Sequence, residues 1–132
     1  MKNINFLSPA VVVAKARGKG RGIFATKRIK ANSIIETAPV LVMDSKDRKI
    51  LDKTLLHNYI FEWGDDKKSC CLALGYVSLY NHSYQSNCEY EMDYKKELLT
   101  IKTLRPIEAG EQLCINYNGA PGNDTPLWFD VK

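Results

Sequence analysis

No stretch of the 132 residues comes near the roughly 20 consecutive apolar side chains that a membrane-spanning helix requires. The start, "MKNINFLSPAVVVAKARGKG", has a short apolar patch broken by a proline and no small-residue cleavage site. No secretion signal is therefore expected, and the chain reads as intracellular. Histidine is scarce: only His57 and His82 are present. The four cysteines, Cys70, Cys71, Cys88 and Cys114, form no CxxC pair and no second cluster at zinc-ligand spacing, so reduced core thiols are expected and no metal. Repeats and low-complexity tracts are lacking too. What remains is an ordinary globular composition, 45% hydrophobic and 26% charged, in a chain sized for one domain over residues 1–132. Such a chain buries roughly two thirds of its unfolded surface and needs no staples.

Charge is nearly balanced, with 19 basic and 15 acidic side chains, but its distribution is uneven. Residues 15–30, "KARGKGRGIFATKRIK", hold seven basic side chains and no acidic one. A solvated basic face is the default reading; a phosphate, a nucleic acid or an anionic partner is the competing one. The run lacks the interleaved aromatics on which single-strand binders stack bases.

Short β-type segments dominate the chain: "AVVVAK" (10–15), "GIFATK" (22–27), "SIIETA" (33–38), "VLVM" (40–43), "CLALG" (71–75), "CEYEMDY" (88–94), "ELLTIKTL" (97–104) and "QLCINY" (112–117). One segment differs. Residues 44–63 place Ile50, Leu51, Leu55, Leu56, Tyr59, Ile60 and Trp63 near helical spacing, which predicts one amphipathic helix capped by Ser45. The turn-rich tail ends in Leu127, Trp128 and Phe129, a pattern that predicts docking on something rather than disorder.

The eight residues "NHSYQSNC" (81–88) admit four readings. Asn81-His82-Ser83 fits the glycosylation rule, as Asn123-Asp124-Thr125 does, but no secretory route is expected. A metal site at His82 and Cys88 lacks a further ligand pair, and a Cys88–His82 nucleophile lacks a visible orienting group. A turn held by amide and hydroxyl side chains, whose backbone then faces a ligand, needs nothing more.

Three separated motifs, "GKGRGIFA" (18–25), "YNHSYQSNC" (80–88) and "IEAGEQLCINY" (107–117), together resemble the SET domain of protein lysine methyltransferases. Gly20-Arg21-Gly22 matches the family's glycine turn, Asn81-His82 with Asn87-Cys88 its second motif, and Gly110-Glu111 leading to Tyr117 its third. Ser86 stands where proline is usual. The resemblance covers about residues 9–119 and implies a mainly β, α+β fold of small sheets with a C-terminal pseudoknot. It makes residues 44–68 a variable insert and 118–132 a segment covering the cofactor.

The resemblance implies S-adenosylmethionine as cofactor, S-adenosylhomocysteine as product, and no metal. Gly20, Arg21 and Gly22 would line its methionine end, while Asn81 and His82, with Tyr80 beside them, would contact its amino group and adenine. Tyr117 would be the catalytic tyrosine at the head of a substrate channel with Ile115 and Tyr90. Ile115 departs from the common aromatic, and Tyr90, which could equally be surface packing, would then restrict the number of methyls added. No cysteine follows Cys114, so the family's frequent zinc tail is missing; Trp128 with Phe129 would stack over adenine, unless they serve core or dimer packing.

A free lysine, with a pKa near 10.4, is neutral in fewer than about one side chain per thousand at pH 7, so the channel must favour the neutral amine. The implied partner is a lysine-bearing protein tail, histone-like or ribosomal, added as a strand beside the insert. If Glu62, Asp65, Asp66, Glu89, Glu91 and Asp93 all face that groove, a basic tail is favoured. The resemblance allows a homodimer that completes the groove. A catalytically weak module binding a basic peptide is the alternative, and a nucleic-acid domain built on residues 15–30 a more distant one; neither membrane nor nucleic acid is the expected partner.

Overall fold

The computed structural model describes residues 1, 3–18, 20–119 and 122–125 of the chain. Trp128 and Phe129, expected over the cofactor, lie outside the described residues.

Among the described residues, ten strands and one α-helix follow each other. They are β1 (Phe6–Leu7), β2 (Val11–Ala16), β3 (Gly20–Ala25), β4 (Ile34–Met43), α1 (Ser45–Leu51), β5 (Ile60–Trp63), β6 (Ser69–Ala73), β7 (Asn81–His82), β8 (Cys88–Asp93), β9 (Leu98–Thr103) and β10 (Gln112–Ile115). The mainly β expectation holds. One sheet runs in the order β5-β6-β4-β9-β8 with β1 also on β4, and a second in the order β2-β3-β10-β7. Among the described residues no helix is long and apolar enough to cross a membrane.

Period-two patterning builds the core. In β9, Leu99, Ile101 and Thr103 are buried while Leu98, Thr100 and Lys102 are partly open. β4 merges two expected strands across Pro39. The proline, which has no N–H to donate, falls where the strand changes partners: Ile34 to Pro39 pair with β9 and Val40 to Met43 with β6. Its carbonyl still accepts from Leu74 N.

The helix expected over 44–63 is shorter and differently capped. Asp44, not Ser45, is the N-cap, accepting from Asp47 N at 3.0 Å. The helix then ends at Leu51. Thr54 Oγ1 donates back to Leu51 O (2.7 Å) and accepts from Leu56 N (3.2 Å), which redirects the chain into a 3₁₀ turn over Leu55–Asn58. Residues 60–63 become strand because β6 needs an edge partner: Ile60 pairs with Leu72 and Trp63 with Ser69, and Trp63 is buried while Ile50 and Leu55 stay exposed.

Candidate active site

β10 brings the three motifs together. It lies antiparallel to β3, with Gln112 opposite Phe24, and parallel to β7, with Cys114 opposite Asn81 and Ile115 opposite His82. Asn81 Nδ2 donates to Arg21 O (3.0 Å) and to Gln112 Oε1 (2.8 Å), one bond to each of the other two motifs. That junction explains Gly22, where a Cβ would stand 2.5 Å from Gln112 Oε1 and 2.9 Å from Asn81 Nδ2. Gly20 serves differently: its φ of +73° suits glycine, and a Cβ there would meet nothing within 4 Å.

The amide side chains of residues 81–88 hold neighbouring strands rather than their own turn, where Ser83 Oγ accepts from Gln85 N at 3.2 Å. Asn87, buried, donates through Nδ2 to Gln112 O (2.8 Å) and Glu111 Oε2 (3.2 Å) and accepts Cys114 N at Oδ1 (2.8 Å). It therefore clamps β10 from the side. Cys88 is a fully buried thiol whose pKa burial pushes up to about 12, unsuited to nucleophilic work at neutral pH. Among the described residues no three His, Cys, Asp or Glu side chains gather to hold a metal.

His82 is buried, and its Nδ1 accepts the Tyr117 N–H at 2.9 Å. Its ring packs edge-on to Tyr84, with centroids 4.4 Å apart, and tilted against Tyr117 at 5.1 Å. The Tyr117 hydroxyl donates to the Tyr80 carbonyl at 2.8 Å. Burial, with smaller contributions from Cys114 and Tyr59, pushes the Tyr117 phenol up to about 12. The phenol is therefore neutral at physiological pH, consistent with its donation to the Tyr80 carbonyl.

On the far side of Tyr117 opens a cavity of about 650 Å³. Its apolar wall includes Tyr59, Phe61, Tyr90 and Met92, and its rim Arg48, Asp52 and Glu62. Phe61 and Tyr90 meet edge to face at 5.3 Å, and Trp63 and Tyr94 at 4.8 Å, so rings on β5 pack directly against rings on or just after β8. Burial first, then the Glu62 charge, pushes Tyr90 up to about 12 as well.

The other residues singled out in the sequence fall in different places. Ile115 is wholly buried and is not part of the cavity wall, because its register opposite His82 turns it into the core. Tyr80, grouped with the cofactor residues, has its side chain in the core at 1% exposure; its hydroxyl faces the Glu36 carboxyl without completing a well-formed hydrogen bond, and its carbonyl is what it offers Tyr117. The acidic groups do not converge. Glu89, Glu91 and Asp93 alternate with Tyr90 and Met92 and point away from the cavity, Asp65 and Asp66 are off its wall, and Glu62 is paired with Arg48 at 3.3 Å.

Sequence reasoning missed Glu36 and Asn116. Glu36 is 3% exposed, accepts Tyr76 N at Oε2 (2.8 Å), and leaves no room for a Cβ at Gly75. Burial raises its pKa, partly offset by the Tyr76 and Tyr80 contacts. Its signal was a lone carboxylate inside the apolar run "SIIETAPVLVM". Asn116, also buried, donates to Asn123 O (2.8 Å) and accepts Asn118 N (2.9 Å), which ties down the chain after Tyr117.

The SET domain family model matches residues 20–118. A Schizosaccharomyces pombe histone-lysine N-methyltransferase specific for H3 lysine-37 is 34% identical over 113 residues, spanning 85% of this chain and 71% of the relative. A Plasmodium falciparum protein assigned as a histone methyltransferase superposes with a TM-score of 0.64 at 25% identity, covering 84% of this chain and 95% of that one. Chaetomium thermophilum Polycomb Repressive Complex 2, in an autoinhibited state bound to S-adenosylmethionine, gives a TM-score of 0.70 at 19% identity over 85% of this chain and 16% of that one, a likeness of fold. Glycine turn, amide-clamped asparagine-histidine pair and terminal tyrosine thus meet in one place in a chain that belongs to the SET-domain family, the S-adenosylmethionine-dependent protein lysine methyltransferases.

Proposed function

We propose that the chain methylates a lysine on a histone-type tail, with the amine in the aromatic cavity and the methyl donor held by the glycine turn, Asn81 and His82. The observation that carries this reading is the position of Tyr117. Its ring lines the cavity, its N–H is held by His82 and its hydroxyl by Tyr80, so it is the side chain common to both halves of the site.

The residues on the cofactor side fit S-adenosylmethionine. Backbone at Gly20 faces open space, and Asn81 uses both amide hydrogens on the protein, which leaves its carbonyl oxygen as acceptor for an ammonium group. When bound, the cofactor supplies a methyl group from its sulfonium for in-line displacement by a neutral amine. The walls formed by Tyr59, Phe61, Tyr90 and Met92 disfavour the ammonium form of an entering lysine. The Tyr117 oxygen, already donating to Tyr80, accepts an N–H of that amine and aims its lone pair. Tyr90, whose hydroxyl would be 3.5 Å from a Cβ at Gly119, narrows the same space and restricts the number of methyls.

The histone-type substrate rests on the S. pombe relative and on the cavity's open rim between insert and β8. Such a substrate puts the enzyme in a nuclear or other intracellular compartment. The test is methyl transfer from labelled S-adenosylmethionine to histones and to a cell lysate, read by mass spectrometry. Lysine methylation that collapses in Tyr117→Phe is expected; a wild type that binds cofactor but modifies only non-histone proteins would overturn the substrate, and Tyr90→Phe should raise the methylation state.

A further inference from the structure

The basic run finds no use in the reaction. Lys15 and Arg21 are direct partners across the β2–β3 antiparallel pair, and Arg17 stands in the turn between them; all three are exposed. Like charges directly opposite each other on a ladder destabilise it. Elsewhere on the described surface, arginines are matched: Arg28 with Glu108, Arg48 with Asp52 and Glu62, Arg105 with Glu111. Among the described residues, no carboxylate pairs with Lys15, Arg17 or Arg21.

Neither reactant accounts for this cluster. The target lysine is a cation, and S-adenosylmethionine carries a sulfonium and an ammonium against one carboxylate, a net positive charge. That carboxylate balances a single positive charge, and Arg21 is the basic residue adjoining Asn81. Among the described residues, Lys15 and Arg17 remain without an anion.

We propose that the tip of the β2–β3 hairpin docks on the phosphate backbone of duplex nucleic acid, holding the enzyme beside a substrate that is itself bound to that duplex. Sequence alone gives no reason to prefer nucleic acid; the cross-strand register does. A protein partner is disfavoured because "KARGKGRG" (15–22) offers no aromatic or large aliphatic side chain for an interface core. Single strands are disfavoured by the same lack of stacking rings. Phosphate contacts need only exposed cations in a fixed array, and they carry no sequence preference. The array is set close to the site, since the Arg21 carbonyl receives the Asn81 amide.

The docking inference goes beyond the lysine-transfer reading, and its first test is independent of activity. Anisotropy of a labelled mixed-sequence DNA duplex, titrated with the full chain at several salt concentrations, should give a slope of log K against log salt of about −2 to −3, near 0.9 per phosphate contact. Lys15→Gln with Arg17→Gln should reduce that slope by about 1.8 and weaken all sequences alike. Lys15→Glu should abolish binding yet raise thermal stability, because it replaces a repulsive cross-strand pair with an attractive one. The two lysine and arginine variants should methylate an isolated tail peptide as the wild type does but lose activity on DNA-bound histone. No binding to duplex at low salt, binding indifferent to both variants, or competition by polyglutamate as effective as by duplex would overturn the proposal.

Discussion

Residues 44–68, the insert that the resemblance implies, and the β3–β10–β7 junction are held by opposite means. In the insert, α1 has no buried residue; Arg48 holds the segment in place by donating to Lys67 O (2.6 Å), Ser69 O (3.3 Å) and Glu62 (3.3 Å) at a largely wet surface. At the junction the connecting groups are neutral amides, Asn81, Asn87 and Gln112, with Asn87 closed off from water. Buried amides lose heavily when one partner goes, because the other is left dry and unpaired, whereas exposed ion pairs are replaced by water at little cost. The junction should therefore tolerate substitution far less than residues 44–68 do.

That contrast is broken most severely at Tyr117. Tyr117→Phe should lower kcat about 100-fold or more, in the range for loss of one positioned hydroxyl, with cofactor affinity nearly unchanged, as isothermal titration beside steady-state kinetics would show. Next, Asn87→Ala leaves Cys114 N–H and Gln112 O unpaired in the core and should cost about 2–5 kcal/mol in denaturant unfolding. Arg48→Ala, on the insert side, should cost only about 1 kcal/mol and shift KM for substrate more than kcat. A loss as large as that of Asn87→Ala would erase the distinction between the two regions.

The smallest effect is a slope. Glu36 has a pKa raised above its ordinary 4.5 in the folded protein, so the native state holds its proton longer than the unfolded state does. Its contribution is most favourable below 4.5 and is lost as pH rises from there through the raised folded value, after which it is flat. Glu36→Gln keeps an acceptor for Tyr76 N and removes the titration. The difference in unfolding midpoint between wild type and variant should therefore move in the variant's favour as pH rises above 4.5 and then level off. A difference that moves the other way would show Glu36 to be a charged-state stabiliser.

The junction was far more legible in the sequence than the insert, for a physical reason. Glycines at 20 and 22, the asparagine-histidine pair and Tyr117 each answer a demand that only a few residue types meet, so they mark the sequence even though the bonds that join them span 31 to 60 positions. The fate of residues 60–63 is decided by β6, a non-local partner, and their apolar spacing satisfies a helix as well as a strand. Side-chain direction was equally hidden at Tyr80 and Ile115. The aim of Glu89, Glu91 and Asp93 was readable all along, since they occupy the alternate positions to Tyr90 and Met92 on one strand.

The position of β10 between β3 and β7 also has a consequence in time. His82 and Tyr117 are 35 positions apart, so at a synthesis rate of about 5–20 residues per second the histidine leaves the ribosome roughly 2–7 s before its partner exists. Until then β3 and β7 each present an unpaired edge, the state in which strands recruit foreign chains. A nascent chain of this kind is thus most in need of a chaperone just before β10 is made, and its three motifs meet only when that strand closes both edges at once.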